Sequence, residues 1–201
     1  MQSISVITGT MMPLPRANVD TDQIMPKQFL KRVERTGYGQ YLFWDWKRTP
    51  KGEPDPDFPL NQPQYGNAKV LVAGPNFGSG SSREHAPWGL QDWGFEAVIA
   101  PSLADIFRTN CTKIGLLPVQ LHPTEVDTLT TLAQNRPDSR ITIDLEAQTV
   151  RAPGLSTRFR IDAFTKWRML NGFDDIGLTL RHTDDIDAFE LTRAPHLPSL
   201  R

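Results

Sequence analysis

Three short apolar runs dominate the middle of the chain, at 68–73, 96–100 and 118–121. Apolarity on both faces makes 68–73 a buried-type strand, and the other two runs predict a second and a third strand. Helical patterns separate them. Residues 83–93 predict a helix with Ser82 as N-cap, although Pro87 sits deep enough to cost one backbone bond. Ser102 predicts the cap of a helix through Asn110, with Asp105 at the capping-box position. Residues 124–134 place Val126, Leu129 and Leu132/Ala133 on one helical face. Strand–helix–strand–helix–strand order predicts a parallel sheet with crossover helices.

The flanks are less regular. Residues 4–7 predict a first strand. Residues 8–26 read as loop, because Gly9, Pro13, Pro15, Asn18, Asp20 and Asp22 favour turns. Residues 27–46 predict weak helix on either side of Gly37-Tyr38-Gly39. The prolines at 50, 54, 56, 59 and 63 make 49–66 an extended surface loop or hinge. Residues 141–145, 149–152 and 158–161 predict a short antiparallel meander. Residues 162–193 read as helical, broken at Gly172 and Gly177, and the last residues as a loose tail.

Composition narrows the function classes. The chain has 201 residues, enough for one domain with a substantial core. Its formal charge of -1 lacks the basic excess of a nucleic-acid or membrane-surface protein. A single cysteine, Cys111, excludes a disulfide framework, an all-cysteine zinc site and an iron–sulfur cluster held by this chain alone. Cys111 itself reads as a small buried residue. No apolar stretch approaches the ~20 residues of a membrane span, and the first residues lack a signal-peptide pattern. A soluble cytoplasmic protein is expected.

Two loops carry candidate chemistry. Residues 74–85, GPNFGSGSSREH, lie between a predicted strand and helix. Glycines allow a ligand close to the backbone, amides at a helix start attract anions, and Arg83 offers a fork for a carboxylate. The P-loop, dinucleotide and nucleophile-elbow patterns all fail here. On pattern alone the loop is either an anion site or structural punctuation. His85 reads as a hydrogen bonder bracing that loop. The second loop, Asn18-Val19-Asp20-Thr21-Asp22-Gln23-Ile24, is either an Asx-turn before a helix or a carboxylate pair that orients hydroxyls, pairs with arginines or, given three or more further oxygen ligands, binds a hard cation.

Resemblance chooses between these readings. Residues 18–24 with Pro26-Lys27-Gln28-Phe29-Leu30-Lys31-Arg32 resemble the opening of the 3-isopropylmalate dehydratase small-subunit family. Gly78-Ser79-Gly80-Ser81-Ser82-Arg83-Glu84-His85-Ala86 resembles the serine loop of the aconitase superfamily. The similarity continues through Ala104-Asp105-Ile106-Phe107, Asn110-Cys111 and Asp175-Ile176-Gly177-Leu178-Thr179-Leu180.

The resemblance implies an α/β fold: a swivelling β/β/α domain over 1–201, with a mainly parallel sheet flanked by helices and a short antiparallel meander. Within it, 23–43 would be a specificity-loop region, 49–66 a Pro-rich loop and 194–201 a tail. The implied reaction interconverts 2-isopropylmalate and 3-isopropylmalate through an alkene, in leucine biosynthesis. A related hydro-lyase acting on citraconate/methylmalate or homoaconitate is the alternative.

By the same resemblance Ser81 is the catalytic base. Ser82, Arg83, Asp20 and Asp22 bind substrate, and Phe29, Leu30, Lys31 and Arg32 sense its side group. No cofactor or metal is expected in this chain. A [4Fe–4S] cluster is expected on a large-subunit partner in a heterodimer, leaving the isolated chain inactive.

Overall fold

The computed structural model describes residues 1–31, 34 and 36–194. Arg32 and residues 195–201, which include His196 and most of the expected tail, lie outside the described residues. Seven strands form one sheet: β1 (Val6–Leu14), β2 (Val70–Ala73), β3 (Ala97–Ala100), β4 (Leu117–Gln120), β5 (Arg140–Asp144), β6 (Thr149–Ala152) and β7 (Leu155–Arg158). Their order is β4-β3-β2-β1-β5-β6-β7. The first four strands pair in parallel, and the last three add to β1 as an antiparallel meander. The expected parallel sheet and meander are thus two halves of one sheet, joined at β1.

β1 corrects the expected four-residue strand followed by loop. Its first half pairs with β5, up to Thr10 opposite Arg140. Its second half pairs with β2, and Pro13 lies opposite Val72. Beyond Thr10 the β5 side of β1 has no strand, so a proline is tolerated there as on a sheet edge. Met11, Met12 and Leu14 are buried, and that burial outweighs the turn preference of Gly9 and Pro13.

Among the described residues there are seven α-helices, α1 (Thr21–Ile24), α2 (His85–Trp93), α3 (Asp105–Ile114), α4 (Pro123–Asn135), α5 (Ala163–Asn171), α6 (Asp175–Thr179) and α7 (Thr183–Leu191), besides short 3-10 turns. Side-chain alternation along the strands builds two cores. Met12, Leu14, Leu71, Ala73, Val98 and Ala100 meet residues of α2 and α3 such as Leu90, Phe107 and Cys111. Ile7, Met11, Val70, Val72, Ile99 and Val119 meet Val126 and Leu129 of α4, Met169 of α5, and the inner residues of β5 and β6. The sheet is therefore covered on both faces, as a parallel half requires.

Several predicted boundaries move, each for a local reason. Ser82 does not cap α2. That helix begins at His85 with Glu84 in the cap position and no side-chain cap bond. Pro87 consequently falls in the first turn, where its missing amide costs nothing. Ser102 does not cap α3 either. Its hydroxyl accepts the Asn76 amide at 2.8 Å, and α3 starts at Asp105, which forms an ion pair with Arg108. β7 comes three residues earlier than expected, because the turn after β6 is tighter. Gly177 sits inside α6, donating its amide to the Asp174 cap, so the break after α5 comes only at Gly172.

The proline loop is more than a surface hinge. It forms two 3-10 turns, at Pro59–Asn61 and Pro63–Tyr65, and sends Phe58, Leu60 and Tyr65 into the first core. Asn61 bonds the carbonyls of Lys47 and Asp55, both at 2.7 Å, closing the loop on itself. The 23–43 region enters the same core at both ends, through Ile24 and Met25 and through Tyr38, Leu42 and Phe43. Among the described residues, no helix is long and apolar enough to cross a membrane.

Candidate functional site

The parallel strands all end at one edge of the sheet, and the loops leaving β1, β2 and β3 meet there. Loops at the carboxyl ends of parallel strands are where α/β sheets bind ligands. Backbone bonds tie the first two together: the amide of Asn18 to the carbonyl of Pro75 (2.9 Å), that of Gly78 to Val19 (2.7 Å), and that of Thr21 to Ser79 (2.9 Å). Asn18 and Asn76 both adopt positive φ and join side chains at 2.9 Å. The loop after β3 adds the Ser102 hydroxyl and a bridge between Leu103 and Phe77.

The serine loop rests on this seam. Gly78 has φ of +78°, and a Cβ there would stand 2.1 Å from Cγ of Phe107. Gly80 has φ of +90° and backs onto Asp20. Phe107 is buried and packs edge-on against Phe77, at 5.4 Å between ring centroids. Burying such a ring contributes about 1.5–3 kcal/mol. The two glycines thus let the loop lie flat on a firm apolar floor.

Above that floor Ser81 and Ser82 are exposed and Arg83 is half-buried. The Ser81 carbonyl accepts the Thr21 hydroxyl at 3.0 Å and the Arg83 amide at 2.8 Å. Residue 81 is therefore held through its backbone while its hydroxyl faces solvent. Arg83 forms an ion pair with Asp22 through Nη1. α2 begins two residues after Arg83 with no side chain capping its first amides, leaving the positive end of its dipole available.

The two acidic candidates take different places. Asp20 is the N-cap of α1: its carboxylate accepts the Gln23 amide at 2.7 Å, and the Gln23 side chain accepts the Asp20 amide at 2.9 Å. The Asx-turn reading describes Asp20, and the arginine-pairing reading describes Asp22. Phe29 stacks on Tyr41 at 4.2 Å and meets Trp44 edge-on at 5.1 Å. Leu30 packs partly against the first core, and Lys31 is exposed.

His85 does not brace the loop through Nδ1, which is buried and has no hydrogen-bond partner. Its ring instead lies between Tyr38, at 5.4 Å, and Trp88, at 4.7 Å. Burial, then the nearby Arg83 charge, hold its pKa below the ordinary histidine value. This contact and the 2.8 Å bond from the Gly39 amide to Asp92 fasten the end of the 23–43 region to α2.

Sequence reasoning missed Thr21, which is 1% exposed and holds the Ser81 carbonyl. Its place between two aspartates was the available signal. The Asn18–Asn76 pair was beyond reach, because its partners are 58 residues apart.

Cys111 is fully buried in α3, and burial pushes its thiol well above the ordinary range. Such a thiol, alone in the chain, does not fit a cluster ligand. Among the described residues no group of three or more His, Cys, Asp or Glu side chains could hold a metal ion.

A serine loop at the carboxyl edge of a half-parallel sheet, with α2 and α3 behind it, defines an aconitase-type α/β domain. Residues 1–124 match the aconitase C-terminal domain family. Residues 127–163 match the family described as LeuD_N, and residues 175–198 the C-terminal domain of the 3-isopropylmalate dehydratase small subunit. The chain belongs to the family of 3-isopropylmalate dehydratase small subunits. It is 51% identical to that of Rubrobacter xylanophilus over 198 residues, 98% of each chain. It is 53% identical to that of Frankia alni over 199 residues, 99% of each. It is 55% identical to that of Halalkalibacterium halodurans over 194 residues, 96% of this chain and all of the relative. The crystal structure of 3-isopropylmalate dehydratase from Methanocaldococcus jannaschii is 25% identical, with a TM-score of 0.64 over 91% of this chain and 99% of that one.

Proposed function

We propose that this chain is the small subunit of a 3-isopropylmalate dehydratase. It would interconvert 2-isopropylmalate and 3-isopropylmalate by dehydration and rehydration in cytoplasmic leucine biosynthesis. The observation that carries this is the pairing of an exposed Ser81 hydroxyl with a backbone held by Thr21 and Arg83. The names of the relatives favour isopropylmalate over citraconate/methylmalate or homoaconitate.

Ser81, as alkoxide, takes the proton from the carbon next to a substrate carboxylate. The hydroxyl on the neighbouring carbon leaves and the alkene forms. Water then returns with its oxygen on the other carbon, and Ser81 gives the proton back. A serine hydroxyl is far too weak an acid for this without local positive potential. Arg83 and the uncapped start of α2 provide it. The ion pair with Asp22 engages one end of the Arg83 fork, and a guanidinium has further N–H donors to offer a carboxylate. Ser82 adds a hydroxyl donor beside it.

Asp20 and Asp22 were expected to bind substrate themselves; in this reading they serve the cradle instead, Asp20 by capping α1 and Asp22 by pairing with Arg83. Phe29, Leu30, Lys31 and Arg32 belong to the segment that reads the substrate side group. The large-subunit partner carries the [4Fe–4S] cluster, which supplies Lewis acidity for departure of the hydroxyl. The whole chain acts as one swivel domain that brings Ser81 to that centre.

The test is reconstitution. The chain is mixed with a cluster-loaded large subunit and the unsaturated intermediate is followed by ultraviolet absorbance. Either subunit alone is expected to be inactive and the pair active. A pair that turned over citraconate but not isopropylmalate would refute the substrate assignment.

A further inference from the structure

α6, the 3-10 turn Leu180–His182 and α7 have not one buried residue between them. Their apolar side chains face water: Ile176 is 71% exposed, Leu180 60%, Phe189 68% and Leu191 79%. Isolated helices of five and nine residues are not stable in water on propensity alone. An arm of this kind needs a surface to pack on, and its own sheet does not supply one. Its root is nonetheless fixed: Arg168 of α5, nine-tenths buried, bonds Asp175 at 2.9 Å, and Asp174 caps α6. Arg181 adds a second tie, lying over the Trp167 and Phe173 rings at 5.1 and 5.4 Å, so the arm is fixed to the body while its apolar side chains stay in water.

We infer that this arm is the docking surface for the large subunit, an inference that rests on the small-subunit reading above. Two observations select that occupant. The arm falls in the 175–198 stretch matched by the C-terminal domain family of the small subunits, outside the 1–124 shared with aconitase C-terminal domains. A separate chain needs a non-covalent hold on its partner, and two stretches are matched by small-subunit families alone; 127–163 is folded into the second core, which leaves the arm as the one with apolar side chains in water. Charge decides against a second copy. α7 carries Asp184, Asp185, Asp187 and Glu190 and no Lys or Arg, so a symmetric contact would set four negative charges against four more. The partner surface is therefore an apolar groove rimmed by Lys and Arg.

The test measures binding of the full chain to the cluster-loaded large subunit, and turnover when all large subunit is bound. Phe189→Asp and Leu180→Asp are each expected to raise Kd about 30-fold, the scale of an interface hot spot. Saturated kcat and thermal midpoint should stay unchanged, since both side chains are exposed and neither belongs to the serine-loop site. Asp184→Lys with Asp187→Lys should slow association and flatten its salt dependence. Unchanged Kd in both apolar variants would overturn the inference. So would a wild-type chain that self-associates through Phe189 while the large subunit binds both forms equally. If arm variants lose binding but the wild-type pair isomerises nothing, docking stands and the functional reading fails. If the pair is active and arm variants bind normally, the reverse holds.

Discussion

Arg83 and Asp22, 61 residues apart in sequence, form an ion pair that joins the serine loop to the first turn of α1. The relationship separates two roles that proximity would merge. A carboxylate in the cradle of an anionic substrate repels it, whereas a carboxylate that aims an arginine helps to bind it. Asp22 is half-exposed, so the pair adds about 1 kcal/mol or less to stability. Asp22→Asn is therefore expected to leave the thermal midpoint within a degree or two. It should lower kcat/KM about tenfold, mostly through KM, as the guanidinium loses its aim. Steady-state kinetics on the reconstituted pair, with melting curves of the free subunit, check both. An unchanged KM would return Arg83 to a structural role.

Ser81→Ala tests the base directly. Loss of a general base costs on the order of 10²–10⁴ in rate. The side chain is exposed and the residue is held by its carbonyl, so folding and large-subunit binding should be untouched. Near wild-type turnover in an assembled Ser81→Ala pair would remove Ser81 from the mechanism.

Thr21 holds that carbonyl from a buried position, and its hydroxyl can be removed without changing shape. Thr21→Val should cost about 0.5–1.5 kcal/mol of stability for the lost hydrogen bond. It should also lower kcat, because Ser81 loses one of its two backbone restraints. Thr21→Ser keeps the donor and is expected to recover most of kcat. Equal kcat in Val and Ser variants would show that the bond only stabilises. Chemical denaturation and kinetics on the same preparations give both readouts.

The floor of the loop makes a sharper stability prediction. At Gly78 a methyl group meets the Phe107 ring at 2.1 Å with φ at +78°, so Gly78→Ala adds a collision to a strained backbone. The expected loss exceeds about 1 kcal/mol. Phe107→Ala relieves the collision but opens a cavity, so the double variant should be more stable than the two separate losses combined would allow. Strict additivity in denaturation midpoints would mean that the loop lifts off Phe107.

How much of this was legible in the chain depended on where the governing contact lay. The strands 68–73, 96–100 and 118–121 were readable because apolarity was continuous and local. The first nine-residue strand was not, because Gly9 and Pro13 argue locally for a turn, and the opposing reason is pairing with two strands far along the chain, such as Met11 with Val70 and Thr10 with Arg140. Helix starts failed the same way. Ser82 and Ser102 are both good caps by type, but neither caps its helix in the fold, and Ser102 is spent on the Asn76 amide. The serine loop and Asp22 were each visible as motifs. Their juxtaposition, with Thr21 as the link, required the fold.

Lys47 offers a last test, of the packing that carries the 38–48 segment. The residue is 8% exposed, and its ammonium donates to the Gln40 carbonyl near the Trp44 ring. Burial first, and then the neighbouring Arg48 charge, lower its pKa to about 8 from 10.5. With the folded-state value below the unfolded one, the unfolded chain binds more protons between those two values. Stability should therefore rise with pH across roughly 8 to 10.5, and below 8 the full cost of the buried charge applies. Lys47→Met removes the charge and keeps the length. It should stabilise the subunit by about 1–3 kcal/mol at pH 7, less than the shift alone implies because the Gln40 bond is lost. The advantage over wild type should shrink as pH climbs toward 10.5. Paired denaturation curves at pH 7, 8.5 and 10 check this, the difference between variants cancelling other groups that titrate there. A Lys47→Met protein less stable than wild type at pH 7 would mean that the bond to Gln40 outweighs the desolvation of the ammonium.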